Sequence, residues 1–303
     1  MNKIDFVAVL QLRVCARKWE ISRMSNESKP NRCAVIGNPI GHSLSPEIHG
    51  SFAQQFAMSL QYDKLLATEE NFNQIVKDFF AADGTGLNIT TPFKEMAFDL
   101  CESTCDLSRV AKSCNTLYMS NGQLVGTTTD SIGWLQDIRR LEFDFTDARI
   151  LMIGAGGASR ILIHTLLDHF DELNYSTIVW ANRSIEKLAA EVDHHSIIKV
   201  GLDDIPQSDF DLVINGISVG WQNEFPTLAV KPTPETVMYD LNYGGGAKPF
   251  HNWAIAQGAS EENCIDGWGM LVNQAAASFA IWWDKQPETT ALIESGVISS
   301  ETS

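Results

Sequence analysis

Short apolar runs alternate with amphipathic ones along most of this chain, and that alternation predicts its architecture. Cys33-Ala-Val-Ile-Gly37 and Leu60 to Leu66 have strand character. Between Glu69 and Ala82 the apolar positions Phe72, Ile75, Val76 and Phe79 fall on one helical face. Ser45-Pro46 predicts a helix start, with serine as N-cap and proline in the first turn. Gly86-Leu-Asn-Ile-Thr90 is a further strand. Pro92 stops it, because proline cannot donate to a ladder and pushes Thr91 out of the α region. Phe93-Lys-Glu-Met-Ala-Phe98 then opens a helix. Thr116–Met119 and Gln123–Gly126 flank Asn121-Gly122, the signature of a hairpin turn. Strands separated by helices imply a mostly parallel sheet, to which the hairpin adds one antiparallel strand.

A helix from Ser131 to Leu141 leads to a second unit. There Arg149-Ile-Leu-Met-Ile153 predicts a buried strand, Gly154 to Arg160 a loop, and Ile161 to Phe170 a helix. Thr177–Ala181, Asp211–Asn215 and Thr236–Asp240 read as strands, and Lys248 to Gln257 as a helix. Gly269 to Trp283 is apolar on most sides, so it is expected to be buried, returning to the first domain. The fold class is therefore α/β with two domains. An N-terminal substrate domain with a mostly parallel sheet spans 31–131 plus 267–303, and a Rossmann-type nucleotide-binding domain spans 132–266. Residues 1–30 form an N-terminal extension, either an extra helix or sequence upstream of a start at Met24. The tail from Gln286 reads as surface.

The bulk numbers narrow the function. A length of 303 residues suits two domains, and 44% apolar with 20% charged residues is ordinary for a globular protein. A net charge of -16 excludes a nucleic-acid or anionic-membrane face, both of which need basic surface. The apolar stretch Phe6 to Leu10 is too short and too interrupted for a membrane span or signal peptide. The six cysteines (Cys15, Cys33, Cys101, Cys105, Cys114, Cys264) show no metal-ligand spacing, although Cys101 and Cys105 are placed to share a helix face. No metal is expected; reduced thiols in the cytoplasm are.

Gly154-Ala155-Gly156-Gly157-Ala158-Ser159 lies between a strand and a helix, the context of a dinucleotide fingerprint. The first glycine permits the tight turn, and the second brings backbone N–H groups to a pyrophosphate at the helix N-terminus. A tight βα turn without a ligand is the plain alternative. After the next strand, where an NAD site places a carboxylate, stand Asn182-Arg183-Ser184, with Lys187 one turn on. The planar fork of Arg183 suits a 2′-phosphate, so NADP is favoured over NAD.

Asn88-Ile-Thr-Thr-Pro-Phe-Lys94 puts an amide, two hydroxyls and an amine at one strand end, where α/β proteins place ligand chemistry. Together with Ile36-Gly-Asn-Pro-Ile40, His42-Ser-Leu-Ser-Pro46, Asn115-Thr116, Thr129-Asp130, the glycine loop, Asn182-Arg183-Ser184 and Asp266-Gly-Trp-Gly-Met-Leu-Val-Asn-Gln274, it resembles the shikimate dehydrogenase family in order and content. The resemblance runs from Arg32 to the end of the last helix.

It implies NADP-dependent interconversion of 3-dehydroshikimate and shikimate in aromatic amino-acid and chorismate biosynthesis. It also implies Lys94 and Asp130 as the catalytic pair, Lys94 serving as general acid and base. Substrate would be held by Ser43, Ser45, Asn88, Thr90, Asn115, Tyr243 and Gln274. The cofactor would be held by Gly154 to Ala158, Asn182, Arg183, Ser184, Lys187, Leu241, Gly267 and Met270. For each polar residue alone, capping or turn roles stand equally open. His42 and His49 read as structural. A monomer or homodimer is expected, with a small-molecule substrate and neither nucleic acid nor membrane as partner.

The chain departs from the family pattern in places. Gly126-Thr-Thr-Thr-Asp-Ser131 stands where the family commonly has Gly-x-Asn-Thr-Asp-Gly, and Lys112 where a glycine precedes Asn115. Asn215-Gly216-Ile217 replaces Asn-Ala-Thr, and Gly-Gly-Gly follows Tyr243. None removes a catalytic group. They leave two alternatives: a paralogue with broader shikimate and quinate specificity, and a catalytically weak metabolite-binding module.

Overall fold

The structure, a computed structural model, describes residues 31–217 and 225–296. The N-terminal extension expected at 1–30 lies outside those residues. The chain divides into two compact units. One runs through Asp130 and takes in Gln274–Thr289; the other comprises Ser131–Asn273 and the segment from Thr290. This division places residues 267–273 and 290–296 with the second unit, where the sequence pattern grouped them with the first.

The first unit is built on a six-stranded sheet. Its strands are β1 (Asn31–Gly37), β2 (Leu60–Leu66), β3 (Gly86–Ile89), β4 (Ser103–Thr104), β5 (Thr116–Ser120) and β6 (Gln123–Thr127), in the order β2-β1-β3-β5-β6-β4. β1 pairs parallel with β2 and β3, β5 runs antiparallel to β3 and β6, and β4 pairs parallel with β6. The hairpin thus supplies the one antiparallel strand. Asn121 (φ 51°) and Gly122 (φ 77°) both take the positive φ that a two-residue β-turn of this twist requires. One face of the sheet buries Ala34, Ile36, Leu87, Ile89 and Leu117 against Phe72, Val76, Phe79 and Phe93.

Local details differ from the pattern. The second helix spans Phe72–Ala81, a turn shorter at its start than expected. The first spans Ser45–Gln55 with Leu44 at the N-cap, so Ser45 is inside the helix and does not cap it. The Ser45 N–H instead donates to Ser43 Oγ at 3.4 Å in a local turn, and no side chain caps the helix. Cys101 and Cys105 do not share a helix face, because helix Lys94–Leu100 ends before Cys101 and Cys105 caps the next helix, Asp106–Ala111. The Cys105 sulfur accepts from Ser108 N–H at 3.4 Å. The intervening Ser103–Thr104 pair joins the sheet as β4, which breaks the helical run.

The second unit is a wholly parallel six-stranded sheet. It comprises β7 (Arg149–Ile153), β8 (Thr177–Asn182), β9 (Ile197–Gly201), β10 (Leu212–Asn215), β11 (Val237–Asp240) and β12 (Cys264–Ile265), ordered β12-β11-β10-β7-β8-β9. The order reverses between β7 and β10, the doubly wound Rossmann topology with its crevice at that switch point. Both faces are covered, so the central strands are continuous apolar runs; Ile150 to Ile153 and Leu212 to Ile214 are all fully buried. The helix after β7 spans Gly157–Asp168, starting four residues earlier than expected because Gly157, Ala158, Ser159 and Arg160 form its first turn. β9 and β12 carry no clear signature in the sequence and were not anticipated.

Helix Trp268–Trp283 is the last long element, and Thr290–Glu294 follows it. From Gln274 the long helix belongs to the first unit, where Phe279 packs edge-on to Phe52 at 5.9 Å between ring centroids. No helix among the described residues is long and apolar enough to cross a membrane.

Candidate active site

β3 ends at Ile89, and the turn Thr90 to Phe93 contains a cis Thr91–Pro92 bond. Lys94 is the first residue of the helix that follows. This places its amine beside the Asp130 carboxylate: Lys94 Nζ donates to Asp130 Oδ2 at 2.5 Å, with the two side chains only 20% and 5% exposed. The second carboxylate oxygen, Oδ1, accepts from Asn115 Nδ2 at 2.7 Å. Asp130 also begins helix Asp130–Arg140, where the N-terminal end of the dipole favours a negative charge. The pair is therefore fixed from both sides of the carboxylate and largely withdrawn from water.

Asn115 is itself held tightly. Its Oδ1 accepts from Thr129 N at 2.8 Å and Thr116 Oγ1 at 2.9 Å. Gln274 Oε1 accepts from Asn115 Nδ2 at 3.3 Å and from Thr129 Oγ1 at 3.2 Å. Asn88 lies one strand away, donating from Nδ2 to Ser278 Oγ at 3.0 Å and accepting from the Tyr62 hydroxyl at 2.7 Å. Ser43 and Ser45 are both buried and joined by a 3.2 Å hydrogen bond from one hydroxyl to the other.

The structure thus gathers Lys94, Asp130, Asn115, Gln274 and Asn88 into one hydrogen-bonded group. Thr90 stands next to this group, and its backbone N–H completes the ladder to Ile36 O at 2.9 Å. His49 is fully buried, stacked on Tyr62 at 4.5 Å, and burial pushes its pKa down to about 3, so the ring is neutral and packs as an aromatic. That supports its structural role.

Four members of this group carry no role in the sequence pattern: Tyr62, Thr116, Thr129 and Ser278. Ser278 was open to discovery, since it lies four residues after Gln274 on the same helix face. Tyr62 had no local signal.

In the second unit, Gly154 holds φ at +104°, a left-handed value that favours glycine, and it turns the chain from β7 into the helix at Gly157. Gly154 N–H donates to Ala181 O at 2.8 Å, and Trp180 Nε1 donates to Gly154 O at 2.8 Å, so the loop is tied to β8 through both groups. Gly156 caps the helix with extended backbone and no side chain. This leaves the first-turn N–H groups of a twelve-residue helix to an anion, the arrangement a pyrophosphate fits.

At the end of β8, Asn182 Nδ2 donates to Ser184 O at 2.9 Å and shapes the turn that carries Arg183. Arg183 lines a cleft of about 430 Å³. Carboxylates face this position as well: Glu186, Asp203 and Asp204 line the same cleft. Asp203 and Asp204 follow β9, the strand the sequence pattern missed.

Leu241 and Gly267 are brought together at the far side of the sheet. Leu241 N–H donates to Asn215 O at 2.9 Å, and Gly267 N–H to Asn242 O at 2.8 Å. Asp266 accepts from Gly244 N–H at 2.9 Å and from Trp268 N–H at 3.0 Å, fixing the Tyr243 turn to the start of the last helix, where Met270 is buried. No group of three or more His, Cys, Asp or Glu suited to a metal occurs among the described residues.

Residues 35–117 match the shikimate dehydrogenase substrate binding domain, and residues 267–295 the shikimate 5'-dehydrogenase C-terminal domain. The chain is 40% identical to a shikimate dehydrogenase (NADP(+)) of Chromobacterium violaceum over 265 residues, 86% of this chain and 95% of that one. It is equally 40% identical to one of Alkalilimnicola ehrlichii over 269 residues, 87% and 97% of the two chains. Among solved structures, an Ael1 enzyme from Pseudomonas putida aligns with a TM-score of 0.77 at 34% identity, covering 89% of this chain and all 100% of that one. Shikimate dehydrogenase from Aquifex aeolicus aligns with a TM-score of 0.73 at 24% identity, covering 90% and 99%, a likeness of fold.

Proposed function

The chain belongs to the shikimate dehydrogenase family, and on that premise we propose that it reduces 3-dehydroshikimate to shikimate, reversibly, with NADPH. The observation that carries this reading is the Lys94–Asp130 pair locked by Asn115. NADPH supplies the hydride when bound at the glycine loop. The developing alkoxide needs a proton at the same moment, and the Lys94 ammonium is the donor; in the oxidative direction the Lys94 amine takes the hydroxyl proton back. Asp130 accepts from Lys94 and keeps the amine aimed, while Asn115 stops the carboxylate from rotating. Burial of the pair excludes water that would otherwise exchange with the transferred proton.

Ser43 and Ser45 serve the substrate carboxylate in this reading, and Asn88, Asn115, Gln274, Thr90 and Tyr243 its hydroxyls. The first unit is the substrate domain and the second the NADP domain. Gly154 to Ala158 take the pyrophosphate, and Asn182, Arg183, Ser184 and Lys187 the adenosine end. Leu241, Gly267 and Met270 take the nicotinamide end. Asp203 and Asp204 in the Arg183 cleft favour a second reading beside the first, that NAD is accepted as well. The setting in this reading is the cytoplasm, and the product feeds aromatic amino-acid biosynthesis. A monomer or homodimer is expected.

One assay tests the reading. Purified protein is given shikimate or quinate with NADP+ or NAD+, and reduced cofactor is followed by absorbance, beside a Lys94→Ala variant. Shikimate with NADP+ should be the best pair, and the variant should lose about 10²- to 10⁴-fold in kcat. Turnover with no pair would sink the enzyme reading, and an unimpaired variant would sink the role of Lys94.

A further inference from the structure

Asn88 has nearly exhausted its hydrogen bonds before any ligand arrives. An asparagine amide offers two N–H donors and two acceptor lone pairs. Nδ2 faces three acceptors: Asn115 O at 3.2 Å, Thr116 Oγ1 at 3.3 Å and Ser278 Oγ at 3.0 Å. Oδ1 accepts from the Tyr62 hydroxyl at 2.7 Å. What the side chain has left is one lone pair on Oδ1, which a ligand shares with the neighbouring His49 ring.

Two of its neighbours could tolerate the reversed amide, since the hydroxyls of Thr116 and Ser278 can turn to donate. The Asn115 carbonyl cannot, and neither can Tyr62 as it is placed. Ser43 donates to Ser45 at 3.2 Å, and Ser45 in turn hydrogen-bonds the Tyr62 phenol, which occupies the phenol oxygen. The phenol proton must therefore go to Asn88. The ring is held by stacking on His49, centroids 4.5 Å apart and planes within 19°.

We propose that Tyr62 is a positioning residue of the substrate site: its phenol fixes the Asn88 amide so that Asn88 meets the ligand only as an acceptor and therefore selects a hydroxyl. The inference rests on the substrate reading above. It also joins the two ends of that site, because the serines assigned to the substrate carboxylate set the direction of the hydrogen bonds that end on the ring-hydroxyl reader.

The test is Tyr62→Phe, which keeps the ring and removes only the donor. Exchange of the Asn88 side-chain amide protons, followed in ¹⁵N-labelled protein, should quicken several-fold; this arm does not depend on turnover. In kinetics the KM for shikimate should rise about tenfold with kcat within about twofold, the scale of one buried hydrogen bond left unmade. In an Asn88→Ala background the same substitution should change KM less than about twofold, because Tyr62 acts through Asn88. Unchanged amide exchange in Tyr62→Phe overturns the proposal, and so do effects that multiply independently of Asn88. Absence of turnover in the unmodified protein would instead refute the assigned reaction, leaving the exchange measurement to decide on Tyr62.

Discussion

Replacing Asp240 by asparagine should remove a pH dependence of stability that one buried carboxylate imposes. Asp240 ends β11 and is fully buried. Its Oδ1 accepts from Asn242 N at 2.8 Å and from Asn242 Nδ2 at 2.7 Å. Burial nonetheless dominates and pushes its pKa from the ordinary 3.8 up to about 7; hydrogen bonds from Asn242 and Asn215 oppose the rise, and the charge of Asp266 adds to it. The folded chain thus keeps this proton to a higher pH than the unfolded chain does. Its contribution is fully present below about pH 4, falls as pH rises, and is lost once pH passes about 7.

At about 1.4 kcal/mol per unit, the whole window is worth about 4 kcal/mol, and the part between about pH 5.5 and 8 about 2 kcal/mol. Asparagine retains an oxygen for the Asn242 donors and cannot titrate. Urea unfolding at a series of pH values, followed by tryptophan fluorescence, should show wild-type protein losing about 2 kcal/mol more than Asp240→Asn across that range. Parallel curves for the two proteins would refute the reasoning, since the pH dependence would then arise elsewhere.

Gly269→Ala should be strongly destabilising. A Cβ there would overlap the Asp137 carboxylate, which cannot yield because it is fully buried and accepts from Tyr239 Oη at 2.6 Å and Arg140 Nε at 2.9 Å. A loss of about 3 kcal/mol, or roughly 10 °C in Tm, is expected in calorimetry. Gly50→Ala, inside helix Ser45–Gln55 with open space at its Cβ, should raise Tm slightly. Arg183→Ala should raise the KM for NADP+ at least about tenfold more than that for NAD+, by loss of a charge-assisted pair to the 2′-phosphate. Neutralising Asp203 and Asp204 should shift the ratio the other way, and equal effects on both cofactors would remove the 2′-phosphate from this cleft.

The strands and the loop chemistry were legible because their causes are local. Apolar runs such as Ile150–Ile153 need burial on both faces, and Gly154 is needed at one backbone angle; neither depends on distant sequence. Lys94 and Asp130 stood out as residue types, but only the fold brings them within 2.5 Å across 36 residues. β9 escaped notice because Lys199 interrupts its apolar run, and with it went the two aspartates of the Arg183 cleft. Ser45 misled because the helix starts one residue earlier than a serine cap requires: Leu44 stands at the N-cap with no side-chain bond, and the N–H of Ser45 itself is tied to Ser43 Oγ. Tyr62 reaches Asn88 from another strand with no spacing signal, whereas Ser278 lies one helical turn after Gln274 and was within reach of the helix period.

The link from Asn88 to Ser278 closes over 190 residues, and that separation bears on how the protein is made. At roughly 5–20 residues per second, a ribosome that has delivered Asn88 needs about 10–40 s more to deliver Ser278. For most of that interval, from the delivery of Thr129 onward, the nascent chain holds Asn88, Thr116 and Thr129 without the hydroxyl that later joins all three. The first sheet can pair its strands, but its polar centre stays incomplete until nearly the whole chain has been synthesised. A fragment ending before Gln274 would expose that centre permanently, which makes the final helix the step that commits a finished chain to its site.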